Sequence, residues 1–225
     1  MNLQDPYEPE LGSLPESGGE EGPESAETGT TSVGVTTEDS VVIATDRRAS
    51  LGGRVVSNKN VTKVEQVHDR AALTMVGSVG GAQSFIRSIR AEANLYEARR
   101  GKPMGIEALA TLASNFLRGG PFFMINPILG GVDDSGPHVY SIDPMGGLSE
   151  DDYVVTGSGM QFAMGVLEQE YDEGLSHEAG IQIATRAVQS ATERDTASGN
   201  GVTIAEVTTE GVEIHSHEDI AEILG

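Results

Sequence analysis

What most constrains the fold of this chain is the order in which two periodicities alternate along it. "TSVGVTT" (31–37) and "SVVIATD" (40–46) are β-branched runs separated by Glu38-Asp39, and they read as a hairpin. "RVVS", "TKVEQV" and "AALTMVG" read as further short strands. From Ser78 the period lengthens: Phe85, Ile86, Ile89, Ala93 and Tyr96 recur at helical spacing until Gly101 and Pro103 stop the run. A second helix is expected over 105–118, with Ile106, Leu109, Leu112, Ala113 and Phe116 on one side. Strands return at "FFMINPILGGVD", "HVYSID" and "YVVTG", helices are expected over 160–172 and 177–193, and "GVTIAEVTTEGVEIHSH" closes as a hairpin. Strand blocks alternating with helix pairs argue against a doubly wound parallel sheet, which alternates single strands with single helices. They favour two packed sheets with a helix pair on each outer face, an α+β chain built as a four-layer αββα sandwich.

All of this periodicity lies after residue 29. Residues 1–29 hold eight acids, no base and scattered Gly and Pro, a composition that cannot bury enough apolar surface to offset its ordering entropy. The expected organisation is an acidic disordered or removable segment over 1–29 and one domain over 30–225.

Charge and composition narrow the function classes. The chain carries 35 Asp and Glu against 14 Lys and Arg, and outside the first 29 residues the 27 remaining acids still leave −13. Phosphate backbones would be repelled, so no nucleic-acid partner is expected. Only Lys59, Lys63 and Lys102 are lysines, and an acid-rich, lysine-poor chain points to work at high salt, where screening removes the cost of self-repulsion. With no cysteine there is no disulfide, thiolate metal site or cysteine nucleophile. No apolar run approaches the ~20 residues that span a bilayer, and no basic stretch and apolar core open the chain as a secretory signal does. A cytoplasmic protein without a membrane partner is expected.

Four patterns carry candidate chemistry. The closely spaced histidines, His215 and His217, share one strand face but have no supporting carboxylate set, so no metal is expected. "GSVGGAQ" (77–83) resembles a glycine-rich strand-to-helix turn, yet lacks the G-K-[ST] of a phosphate loop. Its use is to bring backbone N–H groups, beginning with Gly77, close to a ligand. "GSGMQ" (157–161) is also a strand-to-helix turn but does not match the G-x-S-x-G nucleophile elbow. The fourth pattern is Gly29-Thr30-Thr31, where the acidic segment meets the first strand. One reading is a linker ahead of a strand. The other is a cleavage point: a threonine freed at an N-terminus can use its own α-amine, of pKa about 7.7–8.0, as the base that activates its hydroxyl. That chemistry also calls for a lysine to lower the amine pKa and a carboxylate to hold the lysine.

"TGTTSVGV" followed by "VVIATDRRAS" closely resembles the start of archaeal proteasome β subunits. "GSVGGAQ", "RAEANLYEARRGKPM", "GGVDDSGPHVYSIDPMGG", "VVTGSG", "GVLEQEYDEGLS" and "ERDTASGNG" extend the likeness, in order, over residues 28–215, and with the charge it is strongest to haloarchaeal members. The resemblance implies the fold of N-terminal nucleophile hydrolases and a self-processing threonine endopeptidase without cofactor. It implies autocatalytic cleavage between Gly29 and Thr30, with Thr30 the nucleophile and Asp46 the acid holding the catalytic lysine. Lys63 falls where that lysine is expected, although the preceding loop is about one residue longer than in some relatives; Lys59 is its competitor. Lys63 is preferred because it lies in the strand pattern "TKVEQV", whereas Lys59 sits in a polar turn. Gly77 matches the oxyanion N–H, and Asp195 and Ser198 match the pair supporting the terminal amine. Family members often place a serine beside the glycine after "SID". Here that run is "GGLSE", which makes Ser149 the candidate, displaced from the usual position. Ala49, Met75 and Val79 resemble positions lining the pocket for the residue before the scissile bond, implying a chymotrypsin-like preference. The implied partners are sister β subunits in heptameric rings, α rings, an ATPase acting through the α rings, and unfolded polypeptide as substrate. The alternative is a non-catalytic structural ring subunit.

Overall fold

The computed structural model describes residues 29–225 except 52, 121 and 123, so the acidic segment read as removable lies, up to residue 28, outside the described residues. Two five-stranded antiparallel sheets stack on each other. The first runs β10-β1-β2-β11-β12, from β1 (Thr31–Thr36), β2 (Val41–Asp46), β10 (Tyr153–Gly157), β11 (Val202–Thr208) and β12 (Gly211–His217). The second runs β5-β6-β7-β8-β9, from β5 (Val64–His68), β6 (Ala71–Thr74), β7 (Ile128–Asp133), β8 (Gly136–Ile142) and β9 (Leu148–Glu150). Helices α1 (Val79–Arg100) and α2 (Ile106–Gly119) follow β6, α3 (Met160–Glu170) and α4 (His177–Thr192) follow β10, and a short α5 (Ala221–Leu224) follows β12. β3 (Ala49–Leu51) and β4 (Val55–Asn58) form a separate hairpin.

Three apolar cores separate the four layers. Phe85, Ile86, Ile89 and Leu109 of the first helix pair pack with Leu73, Leu129 and Ile142 of the second sheet. Leu167, Ile183, Ala187 and Val188 of the second pair pack with Val33, Val42, Ala44 and Ile204 of the first sheet. Between the sheets, Val41 and Ile43 meet Val64, Ala72, Ile128 and Val139. Strand β2 shows how the two-residue period builds this: Val41 and Ile43 face the opposite sheet, Val42 and Ala44 face the helices, and all are fully buried. The αββα sandwich expected from the element order is the fold observed.

Local chemistry sets the helix ends. The Ser78 side chain accepts from Gly81 N–H at the start of α1, and Gly101 closes it in the left-handed region at φ 67°. Helix α2 has no such serine; its first N–H, of Ile106, donates instead to Asp133 Oδ2 at 2.8 Å. Among the described residues no helix is long and apolar enough to cross a membrane.

Two local expectations change. The described residues within 122–127 form no strand: β7 begins at Ile128, after a single bridge between Ile125 and Gly77. β5 begins at Val64, so Lys63 immediately precedes the strand, although Met75 N–H still donates to its carbonyl at 2.7 Å. β3 and β9, three residues each, were too short to carry a period.

Candidate active site

Register brings the start of β1 between two strand ends. Thr31 pairs with Gly157, the last residue of β10, while Ser32 pairs with Thr45 beside the last residue of β2, Asp46. Thr30 therefore enters a walled position and is only 1% exposed. Its hydroxyl donates to the Gly29 carbonyl oxygen at 2.8 Å, and Lys63 Nζ donates to that same oxygen at 3.2 Å. Gly29 tolerates no side chain, because a Cβ there would lie 1.8 Å from Ala197 Cβ.

Asp46 organises one side. Its carboxylate is fully buried and accepts four hydrogen bonds: from Lys63 Nζ at 2.7 Å and Thr31 N–H at 3.0 Å on Oδ1, and from Gly199 N–H at 2.9 Å and Arg48 N–H at 3.0 Å on Oδ2. A buried carboxylate with all its acceptor positions engaged can hold a cation without an uncompensated charge. Burial pulls the Lys63 ammonium below the ordinary lysine range, opposed by the charge and hydrogen bond of Asp46. Lys59, the competing lysine, is exposed and outside this network.

A hydroxyl relay organises the other side. Thr30 N–H donates to Ser158 Oγ at 3.2 Å, and Ser158 Oγ donates to Asp195 Oδ2 at 2.6 Å. Ser198 Oγ donates to the same Oδ2 at 2.7 Å, which leaves its lone pairs to accept from Thr31 Oγ1 at 2.8 Å. Asp195 also accepts from Ala197 N–H at 3.0 Å, which fixes the turn.

Thr30, Lys63 and Gly77 line one cavity of about 70 Å³ together with Ala49, Val61, Met75 and Val79. Gly29, Gly77, Ser158, Asp195 and Ala197 line a second, more open one of about 460 Å³. The structure thus brings Thr30, Asp46, Lys63, Gly77, Asp195 and Ser198 together around the Gly29–Thr30 bond, with Ala49, Met75 and Val79 beside them.

Ser149 is the exception. It lies on β9, pairs with Ser141 and donates to Asp151 Oδ2 at 2.9 Å, in a separate groove of about 490 Å³. The serine at the Thr30 amide is Ser158, which sequence reasoning missed. Its signal was present in "GSGMQ": a serine on a strand-to-helix turn, unfit as a nucleophile elbow, yet placed to support another residue's nucleophile. Thr31, whose amide and hydroxyl reach both networks, was also missed, since a strand threonine carries no distinguishing pattern.

The family model described as "Proteasome subunit" matches residues 26–207. The chain belongs to the proteasome subunit family. Proteasome subunit beta of Natrialba magadii is 66% identical over 97% of this chain and 91% of its own length. The proteasome subunit beta proteins of Halorhabdus utahensis and Natronomonas pharaonis are 65% and 62% identical, covering 98% and 97% of this chain and 94% and 92% of theirs. These matches make the chain a proteasome core β subunit of the haloarchaeal type, in agreement with its acidic composition. Proteasome β subunits assemble with other subunits in the rings of the core particle.

Proposed function

We propose that this subunit is catalytic: a threonine endopeptidase that removes its own residues 1–29 and then cleaves unfolded polypeptide with Thr30 as nucleophile. The observation that carries the reading is the convergence of the Thr30 hydroxyl and the Lys63 ammonium on one carbonyl oxygen, that of Gly29. For processing, the hydroxyl oxygen attacks the Gly29 carbonyl carbon while the hydrogen bond from Lys63 polarises the carbonyl. The C–N bond to Thr30 then breaks, the nitrogen takes the proton, and water hydrolyses the resulting ester to release residues 1–29.

The freed amine replaces the amide that now donates to Ser158 Oγ. Its pKa of about 7.7–8.0 suits it to accept the hydroxyl proton at neutral pH. Ser158, backed by Asp195, holds that nitrogen in place, and Lys63, held by Asp46, stabilises the developing alkoxide. In turnover the hydroxyl attacks a substrate carbonyl, the Gly77 N–H stabilises the oxyanion, and water activated by the amine resolves the acyl-enzyme. The apolar lining from Ala49, Met75 and Val79 favours cleavage after hydrophobic residues. No metal or cofactor enters these steps. The setting that fits is a cytoplasmic particle of stacked heptameric β rings capped by α rings and fed by an ATPase.

Thr30→Ala tests this reading. The variant is expected to assemble, keep residues 1–29 and lose peptidase activity to background, and Lys63→Ala is expected to lose both processing and turnover. Unchanged peptide hydrolysis in Thr30→Ala particles would reject the mechanism.

A further inference from the structure

In a chain of formal charge −21, residues 47–64 carry five bases, Arg47, Arg48, Arg54, Lys59 and Lys63, and no acid. This stretch, centred on the β3–β4 hairpin, contributes to the walls of both cavities, the one lined by Thr30 and the one lined by Gly29. Ala49, Val61, Thr62 and Lys63 line the smaller, and Gly53 lines the larger beside Gly29. Three of the bases are committed internally: Lys63 to Asp46, Arg48 to Asn200 Oδ1 and the Thr196 carbonyl, and Arg47 by burial. Arg54 and Lys59 are exposed, and among the described residues neither side chain has a hydrogen bond or ion pair.

Their placement is fixed by the hairpin. Thr196 Oγ1 donates to the Gly53 carbonyl at 3.2 Å, tying the turn to the loop that carries Asp195 and Ala197. Arg54 is thereby held at the rim of the cavity that receives Gly29, one residue from its lining. Lys59 stands at the other end of the hairpin, two residues before Val61 of the smaller cavity. Polypeptide on the N-terminal side of an attacked bond leaves by the route that the chain's own Gly29 occupies. In this chain that polypeptide is "ESAETG", with Glu27 two residues and Glu24 five residues before Gly29. Two extended residues span at most about 7 Å, so an acid carried two residues before the cleaved bond of a substrate is within reach of this rim.

Building on Thr30 as the nucleophile, we propose that the β3–β4 hairpin selects polypeptide with acidic residues N-terminal to the cleaved bond. Arg54 is the principal receiving cation and Lys59 the second; the chain's own acidic segment is the first substrate of this class. At low ionic strength an exposed pair of this kind changes affinity about two- to fivefold, so the preference is to be read there. Screening weakens it as the Debye length contracts from about 10 Å at 0.1 M salt to about 3 Å at 1 M.

Mature particles test this with three internally quenched peptides. All share the same apolar residue before the scissile bond and differ only two residues further upstream, where they carry Glu, Lys or Ser. The Glu peptide is expected to exceed the Lys peptide about two- to fivefold in kcat/KM, through KM, with the gap narrowing as salt is added. The Arg54→Glu/Lys59→Glu double variant is expected to invert that preference while leaving the Ser peptide unchanged. Equal turnover of Glu and Lys peptides, or a Glu preference that survives the double variant, overturns the proposal. Failure to cleave any of the three removes the nucleophile reading itself, and the proposal with it.

Discussion

Two turns of this molecule begin with the same dipeptide and use it differently. Gly77-Ser78 leads from β6 into α1, and Gly157-Ser158 leads from β10 into α3. Both glycines are in the left-handed region, at φ 95° and 99°, and both press against backbone: a Cβ would lie 1.9 Å from the Met124 carbonyl oxygen at Gly77 and 1.9 Å from that of Thr30 at Gly157. The serines then diverge. Ser78 is the N-cap of α1 and its hydroxyl accepts from Gly81 N–H. In the second turn the N-cap is Gly159, one residue later, and Ser158 stands outside the helix facing Thr30 and Asp195. A shift of one residue in where the helix starts turns a structural hydroxyl into a positioning one.

Substitutions can break this comparison at its strongest point first. Gly77→Ala forces a side chain into backbone at positive φ and displaces the N–H proposed for the oxyanion. Loss of one such donor corresponds to about 10²–10³ in kcat, so single-turnover assays of this variant are expected to show at least that deficit. Ser158→Ala and Ser78→Ala should separate cleanly. The first is expected to slow processing and turnover about tenfold or more, as removal of a group that orients the catalytic nitrogen would, with little change in Tm. The second is expected to cost about 1 kcal/mol in stability as a lost cap, with activity nearly unchanged. If Ser78→Ala proved the slower enzyme, the distinction drawn between the two turns would be wrong. Ser149→Ala, away from the Thr30 network, is expected to match the parent in both measurements.

The smallest expected effect concerns the other capping device, Asp133 at the start of α2. Burial alone would raise its carboxyl pKa. Hydrogen bonds from the Ser135 hydroxyl and the Ile106 and Ser135 amides, with His138 nearby, outweigh that and lower it from 3.8 to about 2. A carboxyl whose folded pKa is depressed adds stability above its unfolded value and loses it as pH falls through the folded one. Its contribution should therefore fade between about pH 4 and pH 2. In Asp133→Asn that part of the acid dependence should be missing, as followed by helical circular dichroism across the same range.

How much of this could be read from residues alone differs by level. The layered fold was legible because long periodic segments, such as Phe85–Ala93 and the alternation through β2, encode which face is buried. The opening glycine-threonine step and Gly77 were legible because glycine marks backbone that must come close to something. Asp46 and Lys63 were located by family likeness, and only the structure shows the fourfold acceptor environment that makes their burial tolerable. Ser158 stood on a visible strand-to-helix turn, but a serine in a Gly-Ser turn is by default a cap, as Ser78 is, and only the relative placement of β1 and β10 gives it another use. Ser149 was misplaced for the complementary reason: its neighbourhood in sequence resembled the family motif, while its strand carries it to another groove.

The claim on which the rest depends is that the bond between Gly29 and Thr30 is cut and the new end used. Intact mass of the assembled, purified subunit measures this directly. The account predicts a chain that begins at Thr30, and a fully assembled particle whose subunits retain residues 1–29 would contradict it.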